Sequence, residues 1–204
     1  MSDTVRVKRL RTVLGFLAIM LPWIVVLLQL FNEKFIWPDS ISYTWYTNAC
    51  TPFMIILGAA SILLMFYHGY DIVDDILNTA AGIFGLGICL FPCYNGRVEK
   101  TGTFLTSVPL SSKIHNTSAI IFFVILAYIS FFQFTKSNGD PDKLKKRRNI
   151  IFRVCGVGML ASFAILLLPY FHGQIWLTET FALFFFGISW LTKANRFKWL
   201  FCDR

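Results

Sequence analysis

Six long apolar runs dominate the chain, and short polar segments separate them. The runs cover residues 12–31, 50–68, 75–93, 115–135, 149–170 and 174–192. A helix that crosses roughly 30 Å of hydrocarbon needs about 20 mostly apolar residues, so each run is long enough to span a membrane. The apolar residues follow one another without the alternation that transmembrane strands require. The pattern therefore predicts an all-α membrane protein, with a single bundle of six transmembrane helices over residues 12–192.

The basic residues predict the orientation of this bundle. Fifteen of the 19 lysines and arginines lie on one side of the predicted membrane: in residues 1–11, in and just beyond the loop between the fourth and fifth runs, and in residues 193–204. Loops rich in lysine and arginine remain in the cytoplasm. Both termini are therefore predicted to be cytoplasmic, in a multi-pass protein of the cell (plasma or inner) membrane.

The composition supports the membrane class and excludes others. The chain is 56% hydrophobic and only 15% charged, whereas ordinary soluble domains are about 25% charged. A soluble enzyme and a disordered chain are therefore excluded. The net charge of +8 follows from the orientation signal, and without a soluble basic domain no nucleic-acid partner is predicted.

Four polar residues on the predicted outer side are candidates for chemistry. Glu179 lies inside the last apolar run, where an ionisable group is costly unless it is paired or hydrated. His115 opens the fourth run, His172 lies in the turn before the last run, and Asp39 lies in the first outer loop. Histidine and carboxylate ligands suit zinc, which would generate a nucleophile for lipid hydrolysis. No paired-histidine spacing supports such a site, so no cofactor is predicted and zinc is kept as the alternative.

A short acidic turn joins the second and third runs on the predicted inner side. It contains His68, Asp71, Asp74 and Asp75. Asp71 or Asp74 is expected to cap the third helix, whose N-terminus favours negative charge. We expect the other carboxylates to face basic residues of the neighbouring cytoplasmic loop. The alternative is a site for a cation or a substrate headgroup.

The inner loop between the fourth and fifth runs carries a dense basic cluster that suits anionic lipid headgroups. Its members are Lys143, Lys145, Lys146, Arg147 and Arg148. Small residues concentrate in the second, third and fifth runs, and such residues let helices approach closely in lipid. We therefore expect these three helices at the centre of the bundle, the fourth and sixth facing lipid, and a surface able to form a homo- or hetero-oligomer.

Several segments, in this order, resemble those of a known family. They are Ser40–Tyr46, Tyr67–Asp75, Gly82–Pro92, His115 and Phe186–Lys193. The chain resembles, over about residues 10–195, a family of small bacterial multi-span proteins known only as a domain of unknown function. That family is distantly similar to the eukaryotic DRAM/Sfk-type membrane proteins. The resemblance implies a six-span bundle and no established reaction; this chain has His68 where those relatives often carry arginine.

Membrane lipids are the predicted partners, and the leading hypothesis is a non-enzymatic binding or regulatory component that contacts lipid. The first alternative is a membrane-embedded, metal-dependent lipid hydrolase whose outer-face site uses the four candidate residues. The second alternative is a small transporter or channel, which would need a polar path that the runs do not provide.

Overall fold

The described part of the chain is helical apart from one short hairpin. The computed structural model describes residues 5–31, 35, 37–93, 100–137, 139–140, 142–168 and 173–197. Within them lie six α-helices: α1 (Val5–Gln29), α2 (Cys50–Met65), α3 (Ile72–Leu90), α4 (Val108–Tyr128), α5 (Lys143–Ala164) and α6 (Ile175–Lys193). A π-helical turn, Ile129–Gln133, continues α4, and short 3-10 turns cover Ser42–Tyr46 and Ile165–Leu167. A two-stranded antiparallel hairpin, β1 (Lys100–Thr101) and β2 (Thr106–Ser107), precedes α4.

Four of these helical segments are long and apolar enough to cross a membrane. They are α1, α3, α4 with its π turn, and α6. Helix α2 is apolar but has only 16 residues, and α5 begins with the basic cluster. The helical membrane class is therefore supported, while six spans stay a prediction.

Four helices begin before the apolar runs that predicted them. Helix α1 begins at Val5, inside the predicted N-terminal tail, α3 begins at Ile72, α4 begins at Val108, and α5 begins at Lys143, six residues before its run. Asp142 caps α5 by accepting a hydrogen bond from the Lys145 amide at 2.5 Å. A hydropathy pattern marks only the apolar part of a helix, so these polar first turns were missed.

The helices form a closed ring in chain order. Each helix packs on the next, and α6 packs on α1 to close the ring. At this closure a Cβ on Gly15 would lie 2.9 Å from the Gly187 carbonyl oxygen, and one on Gly187 would lie 2.7 Å from the Gly15 oxygen. Only glycine allows the two backbones to approach so closely.

The ring corrects the predicted division between central and lipid-facing helices. Helix α6 has the most buried apolar stretch of the four candidate spans, with Phe186 and Trp190 almost fully enclosed. Phe122 of α4 is also buried. The prediction that these two helices face lipid is wrong, because in a ring every helix turns one side inward.

Candidate functional site

The segment between α1 and α2 folds down onto one end of the ring, which we call the loop end; the opposite end, where α1 begins and α6 ends, is the terminal end. Ser40 accepts a hydrogen bond from the Tyr43 amide at 2.8 Å, and this bond starts the 3-10 turn. Thr44 donates back to the Ile41 carbonyl. These short-range bonds allow Ile41 to be buried, at 3% exposure.

Glu179 of α6 holds this segment in place. Its Oε2 accepts from the Ile41 amide at 2.5 Å, and its Oε1 accepts from the Ser42 hydroxyl at 3.2 Å. The Trp176 amide, at the start of α6, donates to the Asp39 carbonyl at 2.9 Å. Glu179 thus has protein donors, which explains how its charge is accommodated inside an apolar helix.

Directly beneath this contact lies an apolar cavity of about 60 Å³. All six helices contribute to its wall. One lining residue from each helix, in chain order, is Leu21, Phe53, Ile88, Phe122, Phe163 and Leu183. Ile41, Ser42 and Glu179 also line it. Since a water-sized group needs about 15 Å³, the cavity has room for about four such groups, which suits a short apolar segment.

His115 is committed to a structural contact between α3 and α4. It is buried, and its Nδ1 donates to the Phe91 carbonyl at 2.8 Å. Ser111, one turn earlier, donates to the Pro92 carbonyl at 2.8 Å. The two side chains satisfy carbonyls just beyond the end of α3, and no hydrogen bond joins His115 to Glu179 in the described part of the chain.

Among the residues that the structure describes, the predicted zinc ligands do not form a cluster. Asp39 is exposed, and His172 lies outside the described residues. Across the ranges that the structure describes, no three His, Cys, Asp or Glu side chains form a group that could hold a metal ion. A zinc site that includes His172 therefore stays a prediction.

The acidic turn caps α3 as predicted. Asp71 Oδ1 accepts from the Asp74 amide at 3.0 Å. Its Oδ2 accepts from the Lys136 ammonium at 2.6 Å, and Lys136 belongs to the neighbouring inner loop. The hydrogen bond from Lys136 lowers the pKa of the Asp71 carboxyl. The expected cap is confirmed at Asp71, whereas the basic residue of the neighbouring loop, which was expected to face the other carboxylates, binds Asp71 as well.

The remaining carboxylates of the turn bind its own backbone. Asp74 accepts from the Tyr70 amide at 2.6 Å, and Asp75 accepts from the Gly69 amide at 2.8 Å. His68 is exposed, with its Nδ1 3.3 Å from Asp75 Oδ2. A Cβ on Gly69 would lie 2.2 Å from the Asp74 side chain, so glycine is needed here for space. The cation or headgroup alternative stays a prediction.

Sequence reasoning missed a buried arginine at the terminal end of the ring. Arg11 was assigned to the basic N-terminal tail, yet it is only 4% exposed. Its Nε and Nη2 donate to the Tyr67 hydroxyl at 3.0 and 2.8 Å. The Tyr67 ring packs edge-to-face on Trp190, with centroids 5.0 Å apart. The sequence contains one signal of this burial: Arg11 lies on the same face of α1 as the buried residues Leu14 and Ala18.

The basic cluster divides into inward and outward members. Lys145 donates to the Phe134 carbonyl at 2.8 Å, and Arg148 donates to the Asn195 side chain at 2.6 Å. Lys143, Lys146 and Arg147 are exposed. Only these three retain the exposure that contact with lipid headgroups requires.

Comparisons of the chain with protein-family models, with curated proteins and with solved structures found no match. The family resemblance drawn from the sequence motifs accordingly stays a prediction.

Proposed function

We propose that the protein is a non-enzymatic, multi-pass membrane component that binds lipid within its helix bundle. In this proposal the chain crosses the plasma (or inner) membrane six times with both termini in the cytoplasm. The distribution of lysine and arginine supports this orientation. The contact between Arg196 of the C-terminal segment and Thr12 of α1, at 2.8 Å, is consistent with it because it joins the two chain ends on one side of the ring.

The cavity beneath Glu179 is the observation that carries the proposal. Its wall is apolar except for Ser42 and Glu179 at the loop end. An apolar space with a few polar groups at one end matches an amphipathic molecule. The volume suits the end of an acyl chain.

Binding is favoured over catalysis by the way the candidate residues are used. Glu179 and His115 each bond to groups of the protein that define the fold. A general base instead has to reach the proton that it abstracts. No observation on the described residues favours the hydrolase, and the apolar cavity wall gives no support to a polar transport path.

The three exposed basic side chains at the start of α5 supply a second contact with lipid in this proposal. Lys143, Lys146 and Arg147 would face anionic headgroups of the inner leaflet, at about 1 kcal/mol each. The many exposed apolar side chains of α1 and α3 leave helix-mediated association with a second protein as part of the proposal.

The test is to fill the cavity and measure the lipid that co-purifies. Ala119 lines the cavity, so Ala119→Leu should lower the bound lipid per protein while it keeps or raises the Tm. Ala161→Leu is the matched control, because Ala161 lies exposed on α5. Equal amounts of bound lipid in Ala119→Leu and the wild type, at equal Tm, would contradict the proposal.

A further inference from the structure

A second pocket lies at the loop end, outside the ring. It is a cleft of about 420 Å³ between residues 37–39 and the start of α6, which is within the range of about 300–1,000 Å³ of small-ligand sites. The backbone bond from the Trp176 amide to the Asp39 carbonyl ties its two walls together. This hydrogen bond fixes the shape of the cleft, which is separate from the central cavity.

Two indole rings form the corner of this cleft. Trp37 and Trp176 both line it, with ring centroids 4.8 Å apart and an angle of 77° between their planes. Trp176 is buried, at 8% exposure, whereas Trp37 is 51% exposed. The half-exposed Trp37 ring therefore offers an indole face to the cleft, and indole faces attract cations, especially quaternary ammonium groups.

The polar groups of the cleft match a zwitterion. The Asp39 carboxylate is exposed, and within the described residues its oxygens accept no hydrogen bond and form no ion pair. The Gln174 side chain is also exposed and lines the cleft. The cleft therefore offers a negative charge for a cation and an amide donor for an anion.

The chemistry of the remaining lining favours a methylated cation. Beyond Asp39 and Gln174 the lining side chains are apolar, as Pro38 and Leu177 are. A primary ammonium carries three donors that each need an acceptor, and this lining is poor in acceptors. A trimethylammonium group has no donor and can pack its methyl groups against the Trp37 ring.

We propose that this cleft binds the phosphocholine headgroup of a membrane phospholipid. The trimethylammonium group lies against the Trp37 ring and near Asp39, and a phosphate oxygen accepts from the Gln174 side-chain amide. The lipid source follows from the position of the cleft, because tryptophans gather where helices leave the hydrocarbon core. The inference rests on the proposed membrane function, but it uses a different site from the cavity beneath Glu179.

The experiment measures headgroup preference in a lipid mixture. The full chain is reconstituted into vesicles that hold equal amounts of phosphatidylcholine, phosphatidylethanolamine and phosphatidylglycerol with identical acyl chains. It is then extracted in a mild detergent, and the retained lipids are counted by mass spectrometry. The wild type should retain about five molecules of phosphatidylcholine for each molecule of phosphatidylethanolamine or of phosphatidylglycerol, the factor that one cation–π contact supplies.

Substitutions in the cleft test whether it is the source of this headgroup preference. Trp37→Leu and Asp39→Asn should each return the retained lipids towards the vesicle composition, and Trp37→Phe should keep most of the preference because it keeps a ring face. Phe31→Leu is the control, since Phe31 is an 84% exposed aromatic residue just after α1 and does not line the cleft.

The inference is overturned if the wild type retains the three lipids in equal amounts, or if Trp37→Leu and Asp39→Asn both keep the preference. Binding of soluble phosphocholine without enrichment of phosphatidylcholine would also overturn it, because the ligand would then not be a membrane lipid. Failure of the proposed function gives a different result: Ala119→Leu would leave the total bound lipid unchanged, whatever the headgroup preference.

Discussion

Glu179 is the residue whose removal tests the loop end most directly. In Glu179→Ala the Ile41 amide and the Ser42 hydroxyl lose their shared acceptor. Hydrogen bonds to a charged group contribute about 1.5–3 kcal/mol each, so the two together contribute about 3–6 kcal/mol. Removing a carboxylate from an apolar helix recovers up to about 3 kcal/mol. The segment that carries Ile41 should therefore become less stable by about 2 kcal/mol.

Hydrogen exchange measured by mass spectrometry reports this change locally. A loss of about 2 kcal/mol should speed exchange of the Ile41 amide about 30-fold, because about 1.4 kcal/mol corresponds to a factor of ten. Glu179→Gln should speed it by less than about fivefold. Its side chain keeps an oxygen for the Ile41 amide, and its amide nitrogen donates to the Ser42 hydroxyl.

Thr180→Ala is the matched control for this prediction. Thr180 is the next residue of α6, and within the described residues its hydroxyl bonds only to the Trp176 carbonyl of its own helix. Exchange of the Ile41 amide should match the wild type in this variant. An unchanged exchange rate in Glu179→Ala would refute the reasoning, as would an equal acceleration in Thr180→Ala.

Three further predictions concern the ring and its terminal end. Gly187→Val should lower stability by about 1–3 kcal/mol or more, measured as a lower Tm in detergent, because its side chain would meet a backbone oxygen of α1; an unchanged Tm would contradict the closure. The folded-state pKa of Asp71 lies below its ordinary value of 3.8, so its pairing with Lys136 stabilises the fold above that pH and is lost as the pH falls through the folded-state pKa. The Tm of Asp71→Asn should therefore fall less than that of the wild type on acidification below about pH 4, and parallel curves would contradict this. Tyr67→Phe should cost about 1–3 kcal/mol, because the buried Arg11 loses the oxygen to which two of its nitrogens donate; a Tm equal to the wild type would contradict that role.

The helical class could be predicted from the sequence because it depends on local patterns. Long apolar runs must satisfy their own backbone in lipid, so they are helices wherever they lie in the chain. The packing order could not be predicted in the same way. Whether a phenylalanine such as Phe122 or Phe186 faces lipid or a neighbouring helix does not change its hydropathy, and only the closure of α6 on α1 decides it.

The candidate site could likewise be predicted only where its features depend on local patterns in the chain. Glu179 stood out because a charge within an apolar run is costly, and the cap at Asp71 follows from residues close in the chain. The nearer of the two donors to Glu179 is 138 residues away at Ile41 and is a backbone amide. A backbone donor has no sequence signature, so no reading of residue types could have identified it.

The same contact joins the fold of the loop end to the proposed binding function. Ile41 and Ser42 line the cavity and also donate to Glu179, so a ligand that enters from the loop end has to displace groups that Glu179 holds. The strength of those bonds then sets how often the cavity opens. Glu179→Gln weakens them without changing the apolar wall. It should therefore speed the exchange of bound lipid more than it lowers the amount bound at equilibrium, and a variant that loses both in proportion would show that Glu179 contacts the ligand itself.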